Sequence, residues 1–427
     1  MGEERLSVIC PGCSCLCDDL DVILQDARPV EVANACLWGV SRFLGAKKFH
    51  PKKPRHRLQA PQVRVRGRWE TVPYNTALAE AAALLAKARR PLLYGLTNVG
   101  CGAQEAALRL ARRLKARLEP ADLALMAPYF QSLGATGVYG ATLEVIRDEA
   151  DTVLFWGANP LHSCPRHLVR HAVFARGRYT ERGAEDRRLA AVDVHDTEMA
   201  GLCQVFVSLN PAQELVFLEG LIGAVTQTPV ELPKIRGLRK LAAFLHQATF
   251  GVIFAGRGAG YGPGREKFQL LARLSAALNR QTPFVFMPLS GDFNATGLYH
   301  LLLRELGSPL APDFADPQAP EFHASPAAMT EVDALLVTGA DLFWFLPRDQ
   351  ADDLRRRQTP VVAISPVANH TTVQAQVVLP AALEGVESAE VACRMDGQPV
   401  LLTPVAPAAW PATGQVLSDL MAMVAGK

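Results

Sequence analysis

Nine cysteines occur in the 427 residues of this chain, and five of them lie within the first 36 residues. Four of the five, Cys10, Cys13, Cys17 and Cys36, follow the spacing Cys-X2-Cys-X3-Cys-X18-Cys, and Cys15 adds a thiol inside the run. Four thiolates spaced in this way can hold an iron–sulfur cluster or a zinc ion, and they can also be buried thiols without a metal. We predict a cluster, with Cys15 as a substitute for one ligand, Cys17 for example, or as a bystander.

The composition narrows the class of protein. An odd number of cysteines in a long chain does not suggest a disulfide framework. The acidic start MGEERL lacks the basic and apolar regions of a signal peptide, so we expect a cytoplasmic, reducing setting, where clustered cysteines bind metal or do redox chemistry. The 44 basic and 42 acidic residues leave a net charge of +2, which by itself does not indicate a nucleic-acid-binding protein. No run approaches the roughly 18 apolar residues of a membrane span.

Short apolar runs alternate with helical patterns along most of the chain. Apolar runs of this kind, bounded by loops and followed by helices, are typical of parallel strands buried on both faces. The sequence therefore predicts an α/β protein with parallel sheets in two lobes and with its functional residues at the carboxyl ends of the strands. The predicted strands are residues 91–96, 152–157, 189–194, 251–256, 283–289, 334–339 and 360–365.

Another cysteine, Cys101, lies in the turn between the first of these strands and a predicted helix that begins near Ala103. A thiol at a helix N-terminus has a lowered pKa, because the helix dipole favours the thiolate. Such a thiolate can be a nucleophile or a metal ligand. The alternative is a small apolar side chain in a tight turn between Gly100 and Gly102.

Three further loops follow predicted strands directly and concentrate polar residues or glycines. Residues 157–167 (GANPLHSCPRH) combine asparagine, histidine, cysteine and arginine, and we expect a ligand-contacting loop there. Residues 256–264 (GRGAGYGPG) could present backbone N–H groups to a phosphate, but they do not contain the dinucleotide fingerprint. Residues 288–297 (PLSGDFNATG) form another polar strand-end loop. A turn is expected at residues 394–397 (RMDG).

Taken in order, these motifs resemble the B subunit of formylmethanofuran dehydrogenase, within the molybdopterin oxidoreductase superfamily. The resemblance covers nearly the whole chain and depends on the order and spacing of many motifs rather than on any single one. It is carried by Cys10-Pro11-Gly12-Cys13, Cys17-Asp18-Asp19, Asn34-Ala35-Cys36, the Cys101 loop, Gly157-Ala158-Asn159-Pro160, Pro165-Arg166-His167, Gly291-Asp292-Phe293-Asn294, Thr296-Gly297, Glu384-Gly385-Val386-Glu387 and Arg394-Met395-Asp396-Gly397.

The resemblance implies a cysteine-rich segment followed by two interleaved α/β lobes that grip a bis-pterin guanine dinucleotide. The corresponding domain boundaries are residues 1–55 for the cysteine-rich segment, residues 126–328 for the second lobe, and residues 56–125 and 329–427 for the two parts of the first lobe. It assigns one four-iron, four-sulfur cluster to the first four cysteines and tungsten or molybdenum to Cys101. The matching cofactor contacts would be Gly157, Asn159, Pro160, Arg166, His167, Asn294 and Thr296.

Several residues depart from the family pattern around the expected metal. Gly102 stands where a histidine would follow the metal-binding cysteine, and Ser290 stands where an arginine would hold an anionic substrate. Asp193 precedes Val-His-Asp rather than Pro-Arg, which puts an acid near the expected phosphates. Residues 389–391 (AEV) replace a Glu-Gly-Thr. Because charge-assisted contacts dominate phosphate binding, these losses should weaken pterin binding.

The pattern is similar to the counterpart subunit of the formyltransferase/hydrolase complex in bacterial methylotrophs. It implies a structural, non-redox subunit whose partners are an amidohydrolase-type hydrolase, a formyltransferase and a C subunit, with no nucleic acid and no membrane. Cys101 would then be a vestigial catalytic position. Two alternatives remain: an active tungsten or molybdenum enzyme that interconverts carbon dioxide and formate, and a subunit that keeps the cluster without a pterin.

Overall fold

The computed structural model describes residues 4–45, 57–137, 139–228, 233–316 and 329–424. Residues 47–55, a basic stretch predicted as a linker, and the predicted domain boundary at residue 328 lie outside these ranges.

The cysteine-rich N-terminal segment contains a three-stranded antiparallel sheet and one helix. Its elements are β1 (Glu4–Val8), β2 (Leu20–Gln25), β3 (Arg28–Ala33) and α1 (Leu37–Leu44). Strands β2 and β3 are joined by Asp26 and Ala27, which both have positive φ angles, +52° and +57°. Two such residues in succession suit a tight hairpin whose twist matches that of its strands. Cysteines 10 to 17 lie in the loop between β1 and β2.

A five-stranded parallel sheet forms the centre of the second lobe. Its strands are β8 (Thr152–Trp156), β9 (Arg188–Asp193), β10 (Val205–Ser208), β11 (Gly251–Ala255) and β12 (Phe284–Pro288), in the order β10-β9-β8-β11-β12. Alternate residues of β8 enter different cores: Leu154 and Trp156 pack on one face, and Val153 and Phe155 pack on the other. Burial on both faces explains why these strands are continuous apolar runs.

A seven-stranded sheet takes its strands from two distant parts of the chain. They are β4 (Gln62–Val65), β5 (Arg68–Thr71), β6 (Pro91–Gly95), β7 (Arg117–Pro120), β13 (Ala334–Thr338), β14 (Val361–Ser365) and β15 (Val377–Pro380). The order is β5-β4-β15-β14-β13-β6-β7, parallel except for the edge hairpin β4–β5. The chain therefore leaves this sheet after β7 and returns to it at β13.

Helices cover the faces of both sheets, and a short hairpin, β16 (Glu390–Cys393) and β17 (Pro399–Leu402), follows the seven-stranded sheet. The helices are α2 (Tyr74–Lys87), α3 (Cys101–Leu114), α4 (Leu123–Thr136), α5 (Leu143–Glu149), α6 (Pro160–Ser163), α7 (Glu214–Val225), α8 (Leu238–Leu245), α9 (Gly264–Leu278), α10 (Ala295–Leu306), α11 (Leu342–Phe345), α12 (Arg348–Arg356), α13 (His370–Gln374) and α14 (Thr413–Met423), with a π-helical turn at Leu168–Ala172. Short 3-10 turns lie at Gly183–Glu185, Glu198–Gly201, Pro211–Gln213 and Arg257–Gly260.

The predicted architecture, a small cysteine-rich segment and two interleaved lobes with parallel sheets, is confirmed. All seven predicted strands are present within one or two residues of their predicted bounds. Helix α10 packs against the cores of both lobes. Tyr299 contacts the core of the five-stranded sheet, and Leu298 contacts the core of the seven-stranded sheet. The exact domain boundaries remain predictions. None of the helices in the described part of the chain combines the length and the apolar character needed to traverse a lipid bilayer.

Candidate functional site

Cys101 is the first residue of α3, and Gly100 is the N-cap. The helix begins two residues earlier than the sequence indicated, so the thiol belongs to the first turn rather than to the preceding loop. The thiol is half-buried and meets α10, since a Cβ at Gly297 would lie 3.0 Å from the Cys101 sulfur. This location agrees with the strand–turn–helix context in which a thiolate is favoured.

A second cysteine and an asparagine hold the Cys101 thiol. Asn294 donates from Nδ2 to the Cys101 sulfur at 3.6 Å, and its Oδ1 accepts the backbone N–H of Cys393 at 2.8 Å. A hydrogen bond from Cys393, with a smaller contribution from Asn294, lowers the pKa of Cys101 to about 7 although burial opposes the shift. The same contact and burial raise the pKa of Cys393. Cys393 comes from β16 and carries no sequence motif that would have indicated this role.

Two glutamates also face the start of α3. The carboxylate of Glu384 accepts the backbone N–H of Gly100, and the carboxylate of Glu390 fills the space that a side chain at residue 100 would need. Burial, followed by the charge of Glu390, raises the pKa of Glu384 to about 8. Burial also raises the pKa of Glu390. The side chains that touch Gly100 are therefore carboxyl groups, and the raised pKa of Glu384 leaves that group largely protonated at neutral pH.

Ser290, which stands where the family resemblance predicts an arginine, is buried and donates its hydroxyl to Asp122. Arg257 donates to the same aspartate at 3.0 Å and so is already paired. Nearby Asp292 accepts from Asn98 at 2.8 Å, and burial, followed by the charge of Asp122, raises its pKa. The polar side chains of these strand-end loops therefore form a hydrogen-bonded network in which Arg257 is paired with Asp122.

The two predicted cofactor contacts closest to Cys101 are part of the protein interior. Asn294 is fully buried, donates to the carbonyl of Val99 at 2.8 Å and caps α10 by position. Thr296 is also buried, and its hydroxyl has no hydrogen-bond partner among the described residues. Whether either contacts a cofactor stays a prediction.

Gly157, Asn159 and Pro160 form the turn after β8. Gly157 has a φ of +53°, and a Cβ there would overlap the backbone of Gly258 and Ala259, so only glycine fits this close approach. The glycine-rich loop uses one of its amides here, because Gly258 donates to the carbonyl of Gly157 at 2.9 Å. Asn159 caps α6 by accepting the Leu161 N–H at 3.2 Å, and Pro160 occupies the first helical position, as the helix-start rules favour.

His167 lies in the core rather than in an accessible loop. It is fully buried, its ring meets Phe254 edge-on at 4.5 Å between centroids, and neither ring nitrogen has a partner among the described residues. Burial lowers the pKa of His167 well below its usual range, and burial lowers the pKa of neighbouring His171 to about 3. Both imidazoles are therefore neutral at physiological pH.

Arg166 fixes the cysteine-rich segment to the second lobe. Its two terminal nitrogens contact the two carboxylate oxygens of Asp19 at 2.5 and 2.6 Å, and Arg170 contacts Asp18 at 2.6 Å. Paired N–H···O bonds of this kind add geometric specificity to the charge attraction. Arg166 is thus engaged by the protein itself.

We expect Asp19→Asn to loosen this attachment by about 1 kcal/mol, because the amide keeps the shape but loses the charge and one acceptor. The measurement is the rate of limited proteolysis in the N-terminal segment together with urea denaturation. Asp26→Asn, in the exposed turn between β2 and β3, is the matched control. Equal behaviour of the two variants would show that the Arg166–Asp19 pair contributes nothing.

The four cysteines predicted to hold a cluster converge in the N-terminal segment. Cys10, Cys13 and Cys17 are buried, and Cys36 is the N-cap of α1. Burial raises the pKa of Cys10 well above its usual value, and the charges of Cys13, Cys17 and Cys36 add to the shift. Burial also raises the pKa of Cys17 to about 11, against a hydrogen bond from Arg170 that lowers it.

A tighter group of thiols brings together two cysteines that the family ligand set leaves out. The Sγ atoms of Cys13, Cys15 and Cys164 all lie within 4.8 Å of one another. Hydrogen bonds from Cys13 and Cys15 lower the pKa of Cys164, and the same contacts raise that of Cys15. Cys164 follows α6, 149 residues after Cys15, so only the tertiary fold reveals this group.

The comparisons with known proteins agree with the motif evidence. No protein-family model matches the chain. The chain is 28% identical over 415 residues, 94% of each protein, to the B subunit of the tungsten-containing formylmethanofuran dehydrogenase 2 of Methanococcus maripaludis. The corresponding protein of Methanocaldococcus jannaschii is 29% identical over 414 residues, 93% of each.

Two solved structures show the same fold. One is a chain of the formyltransferase/hydrolase complex of Methylorubrum extorquens with methylofuran, with a TM-score of 0.65, 22% identity, and coverage of 86% of this chain and 98% of that one. The other is acetylene hydratase of Pelobacter acetylenicus, with a TM-score of 0.65, 14% identity, and coverage of 98% and 69%. The chain is therefore similar along nearly its whole length to the B subunit of formylmethanofuran dehydrogenase, and it shares the fold of these two solved structures.

Proposed function

We propose that this chain is the B subunit of a formyltransferase/hydrolase complex that handles formyl groups on a methanofuran-like carrier in tetrahydromethanopterin-linked one-carbon metabolism, and that its role is structural. Support comes from homology to the dehydrogenase B subunit over nearly its whole length and from the fold shared with a chain of such a complex. The partners would be an amidohydrolase-type hydrolase, a formyltransferase and a C subunit. The setting would be the cytoplasm.

The observation that carries the structural role is the carboxyl group of Glu390 at the start of α3, at a position where the family pattern has glycine. A bis-pterin guanine dinucleotide is an anion, and helix N-termini bind anions through free N–H groups. At α3 the N–H of Gly100 is bonded to Glu384, which belongs to a motif shared with the family. Glu390 is a departure from the family pattern, and its carboxyl group fills the space beside Gly100. The residues at this centre do not fit an anionic cofactor with tungsten or molybdenum, and no redox step is assigned to them.

The neighbouring strand-end loops support the same proposal. The position expected to supply a substrate-binding arginine is Ser290, which is bonded to Asp122, and Arg257 is paired with that aspartate. Asp193, at the end of β9, binds the N–H of Val194 through its own carboxylate at 2.7 Å. A chain retaining this fold without a free cation at these points would act as a scaffold for its partners.

The four N-terminal cysteines support a cluster more than they support a single ion. Four sulfurs about 2.3 Å from one zinc ion lie about 3.8 Å apart. Among the described residues, no three of Cys10, Cys13, Cys17 and Cys36 have all their sulfur atoms within 4.8 Å of one another. The thiols that meet this limit are Cys13, Cys15 and Cys164. The all-thiol donor set of the four N-terminal cysteines and their Cys-X2-Cys-X3-Cys-X18-Cys spacing in the sequence suit a four-iron cluster, which would stabilise the fold of the segment.

A second candidate function is an active tungsten or molybdenum subunit. It is favoured by the lowered pKa of Cys101, about 7, which leaves a large thiolate fraction available to a metal. Metal and pterin analysis of the purified complex decides between the two. Stoichiometric tungsten or molybdenum with extractable pterin would overturn the structural role, and iron alone would indicate a subunit that keeps only the cluster.

Cys101→Ala should change the rate of formate release by the whole complex by less than about twofold, because the proposed role leaves no reaction at this thiol. Cys203→Ala, which removes a half-buried thiol in the other lobe, is the matched control. Formate release and the subunit content of the complex are measured together. A loss of about tenfold or more in the fully assembled Cys101→Ala complex would contradict the structural role.

A further inference from the structure

Three thiols meet in the core between the cysteine-rich segment and the second lobe. Cys15 and Cys164 are almost completely buried, Cys13 is 7% exposed, and their sulfur atoms lie within 4.8 Å of one another. Cys13 and Cys15 come from the loop between β1 and β2, whereas Cys164 ends α6 at the carboxyl edge of the five-stranded sheet. The group therefore spans two separate parts of the fold.

The spacing of these sulfurs suits one metal ion. Three sulfurs bound at about 2.3 Å to a single ion lie about 4.0 Å apart in a trigonal plane and about 3.8 Å apart in a tetrahedron. Both arrangements fall within the observed limit of 4.8 Å. A set of donors that contains only thiols selects soft ions, chiefly Zn²⁺ and Cu⁺.

The surroundings of the triad make it a closed site. Cys164 donates to the carbonyl of Ser290 at 3.2 Å, and the hydroxyl of Ser14 lies 3.9 Å from the Cys164 sulfur. Ser14 and Ser290 are both buried, and the hydroxyl of Ser14 is bonded to the same carbonyl. No substrate could reach an ion held here, so the ion would have a structural role.

We propose that Cys13, Cys15 and Cys164 bind one thiophilic ion, Zn²⁺ or Cu⁺, which fastens the cysteine-rich segment to the strand-end loop of the second lobe. The site differs from the expected iron–sulfur set through Cys15 and Cys164 and shares Cys13 with it. Because Cys13 cannot serve both sites, a chain that holds this ion does not hold a four-iron cluster on Cys10, Cys13, Cys17 and Cys36, and the two sites are alternatives. The proposal does not rest on the proposed function of the chain.

Two cysteine variants separate the triad from the four-cysteine set. Cys15 belongs only to the triad, and Cys36 belongs only to the other set. In the purified complex we expect one zinc or copper ion per chain, lost in Cys15→Ala and in Cys164→Ala and retained in Cys36→Ala. Cys203→Ala serves as the control for the loss of an unrelated thiol. Elemental analysis identifies which of the two ions is bound.

X-ray absorption at the edge of the bound metal provides a readout that does not depend on a variant that folds. It should show three sulfur neighbours at about 2.3 Å. Absence of both zinc and copper, together with no uptake when Zn²⁺ or Cu⁺ is titrated into the complex, would overturn the proposal and leave the thiols as packing. Zinc or copper that is lost in Cys36→Ala but retained in Cys15→Ala would overturn it. Stoichiometric iron would also overturn it, whether that iron depends on Cys15 or on Cys36, because the iron would then occupy Cys13.

Discussion

Replacing Lys267 with methionine should lower the free energy of unfolding by about 3–5 kcal/mol. Lys267 is 2% exposed on α9, and its ammonium lies 2.9 Å from Glu214 at the start of α7. The second carboxylate oxygen of Glu214 accepts the indole N–H of Trp156 at 2.7 Å. Without the lysine, Glu214 becomes a buried carboxylate with only a neutral donor, and the desolvation penalty is no longer offset.

The double variant Lys267→Met/Glu214→Gln isolates this cause. The amide removes the unpaired charge and keeps an acceptor for Trp156, so most of the lost stability should return. The measurement is urea denaturation followed by tryptophan fluorescence and circular dichroism. If the double variant is as unstable as the single one, the loss comes from packing around the methionine and not from an uncompensated charge.

Replacing Glu119 with glutamine should raise the free energy of unfolding, by an amount that depends on pH. Glu119, in β7, is 2% exposed, and its Oε2 atom has no partner among the described residues. Burial raises the pKa of Glu119 from 4.5 to about 8, with a smaller opposing effect from Arg117. The folded protein therefore holds this proton more tightly than the unfolded chain does.

The sign follows from linkage. Below pH 4.5 the Glu119 carboxyl is protonated in both the folded and the unfolded chain, and its contribution to the free energy of unfolding is fully present. As the pH rises from 4.5 to about 8, the unfolded chain releases this proton while the folded protein keeps it, and the free energy of unfolding falls by up to about 1.4 kcal/mol per pH unit. Glu119→Gln removes this loss. Its stabilising effect should be near zero at about pH 4.5, grow with pH, and level off above about pH 8.

Urea denaturation across this pH range measures the effect. Glu70→Gln, at an exposed position on β5, is the matched control and should leave the pH profile of the parent unchanged. A constant difference between Glu119→Gln and the parent at every pH would show that the Glu119 carboxyl does not titrate in this window.

The strands and the chemical character of the loops could be predicted from local patterns. Each apolar run is a strand because its residues pack on both faces, and the Cys101 turn follows from a strand and a helix that are adjacent in the sequence. The predicted turn at residues 394–397 is also present, closed by a bond from the Gly397 N–H to the Arg394 carbonyl. Local spacing and periodicity suffice to predict features formed by residues that are close together in the sequence.

The partners of the candidate site could not be predicted in this way. Glu384 is 284 residues from Gly100, and Cys393 is 99 residues from the Asn294 that it contacts. These contacts depend on the chain returning to the seven-stranded sheet and extending the β16–β17 hairpin towards α3. Periodicity identifies elements but not which distant loop lies beside which. The burial of His167 could not be predicted for the same reason, and its contact with a cofactor stays a prediction.

The division of the seven-stranded sheet has a consequence for synthesis on the ribosome. Strands β6 and β7 emerge early, but their neighbour β13 begins only at residue 334, after the complete five-stranded sheet of residues 152–288 has been made. The second lobe can therefore close first, while the nascent first lobe keeps an unpaired apolar strand edge. Such edges are aggregation-prone, so the interval before residue 380 emerges is when a chaperone would protect the chain most.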